Sequence, residues 1–428
     1  MSDALFLDAR MRGFPPSEAA QSAAALIAGG FRPHDGRMAL PLISLDRAAF
    51  ANNTKLMLDY VAEQGVQIAP HAKTPMSPEL AASLVAAGAW GATVADIRQA
   101  AVLLSAGHQR LILANEIGGA NAARRLAAVA ARHPKAELHL FVDSIAAVGA
   151  IASVWHEGLP KLGLLVELGL GRAGARDEAA GLAVLGAALE AENAALSVTG
   201  IAAYEGAAGV PDPAETLARI NALLARLAGF LPLARGRIGD QRPLIVTAGG
   251  SLFFDLVLAA LKPAVAADGN ATILLRSGAI FFHDHGTYLR GLQDLDARQG
   301  FTIKGEARRA AEAFRPALRV WAEVLSLPEP GLAILGMGMR DVAIDQGLPI
   351  PLERFRDGAA IGPMEGAHVL RLNDQHAFVA IPPALDLAVG DVIAFGISHP
   401  CTCLDRHRLL YGLGPDLRVS AIYATQFG

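Results

Sequence analysis

Two hydrophobic periods take turns through the first three hundred positions. Short apolar runs stand at Pro41–Leu45, Val66–Ala69, Trp90–Val94, Arg110–Leu113, Glu137–Val142, Leu162–Leu168, Ser197–Ala203, Pro243–Thr247 and Ala271–Leu275. Between them lie Ala-rich stretches whose apolar positions recur at helical spacing: Arg47–Gln64, Ser77–Ala87, Ile97–Ala106, Asn121–Arg132, Glu178–Glu192 and Ala214–Ala228. Asp46, Ser77 with Pro78, and Asp212 with Pro213 supply the residue types that open helices. Strands alternating with helices predict parallel pairing through right-handed crossovers. Eight or nine such units fit a closed (β/α)8 barrel better than a doubly wound sheet, and no GxGxxG follows the first run.

After Gly300 the helical period fades. Leu318–Leu325, Ala333–Met337, His368–Leu372, Ala377–Ile381, Asp391–Phe395 and Val419–Tyr423 are apolar runs separated by Gly and Pro, the pattern of an antiparallel β domain. The predicted organisation is α/β: an N-terminal segment 1–40 that packs on the β domain, a barrel over 41–300, and the β domain over 301–428.

Composition narrows the class. With 428 residues, 53% apolar and 18% charged, disorder, collagen and a disulfide scaffold are excluded. A net charge of −4 offers no basic field for a nucleic acid or an acidic membrane. The most apolar long stretch, Leu244–Ala267, is broken by Asp255 and Lys262, so no membrane span is expected. Asp3, Asp8 and Glu18 precede the apolar run Ala23–Ala28, the reverse of a secretory signal, which points to the cytoplasm.

Scarcity makes two residue types informative. Only six of the 37 basic residues are Lys, and of these Lys73 alone follows a barrel strand immediately, in Pro70-His71-Ala72-Lys73-Thr74. A partly desolvated Lys at a barrel rim can attack a carbonyl to form a Schiff base, although its position also suits a solvent-facing side chain. The two Cys, Cys401 and Cys403, sit in Ser398-His399-Pro400-Cys401-Thr402-Cys403. Soft ligands beside a His fit a metal site, and equally fit small core residues. On an extended strand His399 and Cys401 would face the same way, filling two of about four zinc positions and leaving the rest open.

Two further segments complete the barrel mouth. Gly171-Arg172-Ala173-Gly174 can bring a guanidinium and backbone close to a small anion. Thr247-Ala248-Gly249-Gly250-Ser251 and Arg276-Ser277-Gly278 end the last two strands, where barrels commonly hold phosphate through backbone N–H groups. A Schiff-base Lys, a phosphate cup and a Gly-Arg-x-Gly loop on one mouth point to pyridoxal phosphate.

Pro70-His71-Ala72-Lys73-Thr74 resembles the pyridoxal-lysine motif of D-serine dehydratases and D-threonine aldolases, the alanine-racemase-like (fold type III) enzymes. Gly171-Arg172-x-Gly174, Ala203-Tyr204-Glu205-Gly206 and Arg276-Ser277-Gly278 fit the same group. Gly390-Asp391 followed by Ser398-His399-Pro400-Cys401-Thr402 resembles the metal motif of its D-serine dehydratase branch. The resemblance runs from about Pro41 to Tyr423. It implies that Lys73 carries pyridoxal 5'-phosphate, that Arg172 lies near the cofactor's 3'-oxygen and Tyr204 near its ring, and that Thr247, Gly249, Gly250, Ser251, Ser277 and Gly278 surround the phosphate. It also implies a divalent metal, zinc, on His399 and Cys401, and a homodimer. Departures are Pro75 for a His, Leu252 and Phe253 after the phosphate turn, Gln375-His376-Ala377 for Glu-His-Gly, and the additional thiol of Cys403.

The reaction this implies is a metal-assisted β-elimination that turns D-serine, or a related D-β-hydroxy amino acid, into a 2-oxo acid and ammonia. Retro-aldol cleavage to glycine and an aldehyde is the alternative, and a non-catalytic pyridoxal phosphate carrier is the alternative of another class. His71, His283 and His285 are further candidates for the mouth.

Overall fold

The computed structural model describes residues 5–298 and 301–427. Eight parallel strands lie side by side in the order Gln67–Ile68, Ala271–Leu275, Leu244–Ala248, Leu196–Ala202, Leu162–Glu167, Glu137–Val142, Arg110–Leu113 and Ala92–Val94. The two end strands meet. Trp90 N donates to Ile68 O at 2.8 Å, Thr93 N to Pro70 O at 2.9 Å, and Ala72 N to Thr93 O at 2.8 Å, so the sheet curls into a TIM-like barrel. Ala69, Ile112, Phe141, Leu165, Ala202 and Leu274 fill its interior. Such a plugged barrel leaves the C-terminal rim as the surface that can hold chemistry.

Of the three helix openings read from the sequence, Asp46 and Asp212 cap as expected and Ser77 does not. The carboxylates of Asp46, Asp96, Asp177 and Asp212 and the hydroxyl of Ser144 cap their helices, each contributing about 1 kcal/mol. Ser77 makes no cap bond, and Pro78 in the first turn sets that start instead. Helix Pro213–Ile238 continues ten residues beyond Ala228, through Pro232. It has the length and apolar composition to cross a membrane, but Ile220, Leu224, Leu227, Phe230 and Leu231 are buried in the hydrophobic core around the barrel.

The first candidate barrel strand belongs elsewhere. Leu42–Asp46 pairs antiparallel with Leu318–Glu329 and parallel with Leu409–Leu413, within the second, mainly antiparallel sheet. An apolar run satisfies either sheet equally. What decides is the partner: Trp321 Nε1 donates to the buried Ser44 hydroxyl at 2.8 Å across that pairing. The barrel therefore begins with helix Arg47–Glu63 and strand Gln67–Ile68.

The second sheet runs Ala359–Pro363, Ile350–Arg356, Val392–Gly396, Leu318–Glu329, Leu332–Leu335, Ala377–Ala380 and His368–Leu372. Leu7, Phe14, Leu26, Phe31 and Met38 of the N-terminal segment form one core with Trp321, Phe355, Tyr411 and Ile422 of this domain.

Candidate active site

A cavity of about 280 Å³ opens where the barrel rim faces the turn after strand Val392–Gly396. Lys73, Arg172, Tyr204, Gly249, Gly250, Ser251, Gly278, His399 and Cys401 line it, as do His71, Thr74, Arg276 and Tyr288. Thus nine of the eleven residues singled out in the sequence meet at one place. Thr247 and Ser277 do not: both are fully buried behind the wall, their hydroxyls donating to Leu274 O at 2.7 Å and to Gly250 O at 2.7 Å. His283 and His376 also lie off the cavity lining, the first buried and the second exposed. His285 lies off it too, under Gly396, and burial lowers its pKa to about 4.

Lys73 projects from the loop that closes the barrel seam. That loop is tied down by Thr93, whose hydroxyl donates to Ala69 O at 2.6 Å. The Lys73 ammonium pairs with no carboxylate among the described residues. His71 is held neutral well below its ordinary range by burial, and by the positive charges of Lys73 and Arg276. A neutral imidazole and an uncommitted amine at one rim are what a carbonyl-binding site needs.

Arg172 lies over the Tyr204 ring, 5.2 Å from its centroid, and reaches Glu167 at 3.4 Å. Gly169 and Gly174 make this loop possible, since a Cβ on Gly169 would lie 1.6 Å from Ala173 O. Behind Arg172 sits an acidic pair that sequence reasoning missed. Glu116 and Glu167 each carry a buried carboxyl oxygen with no donor, and burial and proximity to Glu167 push Glu116 far above the carboxylate range. Two carboxyls that face each other in a dry site hold one proton between them. Arg276 forms the floor, donating to the Thr247 hydroxyl at 2.6 Å and Ala203 O at 2.8 Å above the Phe141 ring. The sequence marks Arg276 within the turn Arg276-Ser277-Gly278 but assigns it no role, because its charge is buried by tertiary packing alone.

The two Gly-Ser turns are built differently from the expected open cup. The buried Glu205 carboxylate accepts from Gly249 N at 3.0 Å and from Gly250 N. Ser251 Oγ accepts from Gly278 N at 3.2 Å and Ile280 N at 3.2 Å. The backbone N–H groups of Gly249, Gly250 and Gly278 are therefore already used. Gly278 is required by packing, because a Cβ there would lie 2.4 Å from His71 O. The Ser251 hydroxyl, accepting twice, keeps its own proton free to donate into the cavity.

His399 and Cys401 do not lie on an extended strand. Pro400 starts a short helical turn, Pro400–Leu404, with His399 in extended backbone before it. Both side chains nonetheless reach the cavity, and Cys401 Sγ lies 3.3 Å from the Thr74 hydroxyl, next to Lys73. Burial alone would push the Cys401 thiol up, but hydrogen bonds from His399 and Thr74 outweigh it and hold the thiol below its ordinary value. His399 is raised to about 9, Cys401 and Asp345 together overcoming the effect of burial. Cys403 points into the core, and burial pushes its thiol up to about 12, which makes it inert.

Comparison with known proteins agrees with this architecture. Residues 45–236 match the family model "Alanine racemase, N-terminal domain", and residues 317–413 match "Putative serine dehydratase domain". The chain has the alanine-racemase-like fold, a barrel followed by a mainly antiparallel sheet. It is 27% identical to D-threonine aldolase of Arthrobacter sp over 85% of its own length and 86% of that protein's. It is 28% identical to D-threo-3-hydroxyaspartate dehydratase of Delftia sp. (strain HT23), over 54% of its length and 65% of that protein's. The crystal structure of D-threonine aldolase from Filomicrobium marinum superposes with a TM-score of 0.73 at 25% identity, covering 91% of this chain and 95% of that one. D-threo-3-hydroxyaspartate dehydratase has also been solved with a histidine replaced by alanine and with a cysteine two positions on replaced by alanine, the latter in a metal-free form.

The residues present fit the groups this alanine-racemase-like architecture implies. One unpaired Lys, two guanidiniums and a free Ser251 proton around the cavity suit a phosphorylated aldehyde of pyridine size. A thiol held toward its thiolate beside an imidazole suits a borderline-soft divalent ion.

Proposed function

We propose that this chain is a pyridoxal phosphate-dependent lyase that eliminates water from D-serine, or a related D-β-hydroxy amino acid, to give a 2-oxo acid and ammonia. The observation that carries this reading is the meeting of Lys73 and Cys401 across one cavity, through Thr74, from opposite ends of the chain.

Lys73 holds the cofactor, which supplies an electron sink for the charge left at Cα. The Lys73 amine is the base that would take the Cα proton. Arg172 and Tyr204, in contact with each other on the cavity wall, would help to hold the cofactor, and Arg276 on the cavity floor would supply positive charge. Ser251 would donate to the cofactor's phosphate. His399 and Cys401 hold a divalent ion, zinc in this reading, which supplies Lewis acidity at the β-hydroxyl. Hydroxide is a poor leaving group, so that acidity is what separates elimination from simple proton exchange. A thiolate and an imidazole are donors that suit zinc, which supports a Lewis acid at the β-hydroxyl, and a D-threo-3-hydroxyaspartate dehydratase with a cysteine replaced by alanine has been solved in a metal-free form. A homodimer and a cytoplasmic location belong to the same reading.

Retro-aldol cleavage is the second reading, favoured by the aldolase relative that spans 86% of its own length against this chain. Incubation with D-serine, L-serine and D-threonine separates the two. Pyruvate and ammonia from D-serine support elimination. Glycine and acetaldehyde from D-threonine, with no pyruvate from D-serine, would replace it by the aldolase.

A further inference from the structure

His399 presents its two ring nitrogens to different surroundings. Nδ1 lies 2.7 Å from Asp345 Oδ2 and 3.1 Å from the Thr402 hydroxyl, and His399 lines the cavity together with Cys401. The second Asp345 oxygen accepts from the Thr402 hydroxyl at 2.8 Å, so the carboxylate cannot swing away without losing both partners.

Asp345 is itself held by its neighbours. Thr287 Oγ1 donates to the Gln346 side chain at 3.1 Å, Arg290 donates to Gln346 O at 3.1 Å, and Ser398 Oγ donates to Gly347 O at 2.7 Å. The segment 345–347 is thereby tied both to the barrel helix Thr287–Arg298, which carries Tyr288, and to the residue before His399. Fifty-four positions separate Asp345 from His399, so no local motif announces the contact.

We infer that Asp345 is a positioning residue that fixes His399 as the Nδ1–H tautomer, turns its Nε2 lone pair to the cavity, and thereby sets the affinity of the His399–Cys401 site for a divalent metal ion. A ligating imidazole is more basic and better aimed when its other nitrogen donates to a carboxylate, and loss of such a partner typically costs about 10- to 100-fold in metal affinity. The inference rests on the metal reading given above, and its test separates the two.

The test titrates the purified full-length holoprotein with Zn²⁺ against a chromogenic chelator, comparing wild type, Asp345→Asn and Asp345→Ala. Pyridoxal absorbance and melting temperature report whether each variant stays folded and loaded. Asp345→Ala is expected to bind Zn²⁺ about 10- to 100-fold more weakly, with Asp345→Asn between it and wild type, because the amide oxygen still accepts from Nδ1. Loaded with Co²⁺, both variants should keep the thiolate-to-metal charge-transfer band of wild type, since Cys401 stays bound. Affinity within about twofold of wild type would overturn the positioning role. Loss of the band would overturn it as well, by showing that removing Asp345 changes the ligand set itself. If wild type takes up no Zn²⁺, the metal reading fails and the inference falls with it.

Discussion

Lys73 is the residue on which the proposed chemistry turns, and it is also the easiest to test. Its ammonium is uncommitted in the cavity wall, so borohydride reduction of the loaded protein should fix the cofactor to the peptide that contains Lys73. Lys73→Ala should lose the visible absorbance and turnover together, and retained colour with activity would move the linkage elsewhere. The Glu116–Glu167 pair makes a second prediction at this scale. Because Glu116 is raised by burial and by its acidic neighbour, the native state keeps a proton that the unfolded chain has released. The unfolded state then binds fewer protons, so stability is complete below the ordinary Glu range and declines as pH rises through it toward about 9. Glu116→Gln cannot ionise and should flatten that decline. Urea midpoints measured from about pH 5 to pH 9 check it, and a variant that tracks wild type across this window would remove the shared proton from the account.

Elements that carry their own period are legible in the sequence alone. Arg110–Leu113, Glu137–Val142, Ala271–Leu275 and His368–Leu372 stand where their apolar runs stand. Elements defined by a partner are not. Leu42–Asp46 reads as a barrel strand and pairs instead with Leu318–Glu329, because nothing within five residues says which sheet will claim them. Ile350–Arg356 and Ala359–Pro363 escape pattern reading because charged residues, exposed positions and Pro mask their pairing. The same limit divides the site. Lys73, Arg172, His399 and Cys401 are marked by scarcity or by neighbouring Gly and Pro; Arg276 and Glu205 stand in recognisable motifs but take their roles from packing, and Glu116 and Tyr288 gain meaning only from what packs on them. One close approach at this scale is testable. Gly278→Ala would drive a methyl into the His71 backbone, an overpacking that costs about 1–3 kcal/mol. Thermal unfolding should register it. An unchanged melting temperature would show that the two rim turns are not locked together.

At the scale of the whole molecule, the cavity exists only because two domains meet. Lys73 comes from the barrel rim and Cys401 from the second domain, and the N-terminal segment helps to hold that domain in shape. Phe14 is buried among Trp321, Phe355 and Tyr411, and the Tyr411 hydroxyl donates to Arg12 O at 2.9 Å. Phe14→Ala should therefore cost about 3–5 kcal/mol, read as a shift in urea midpoint, although the residue lies far from any chemistry. A change below about 1 kcal/mol would mean that the segment merely rests on the surface. The central claim is that one cavity joins a pyridoxal-bearing Lys73 to a metal on His399 and Cys401, and that elimination needs both. The most direct measurement is the rate of pyruvate formation from D-serine before and after chelation, with the visible absorbance recorded on the same sample. The account predicts that chelation abolishes pyruvate, leaves the absorbance in place, and is reversed by added Zn²⁺. Pyruvate formed at the full rate by the chelated protein would contradict it.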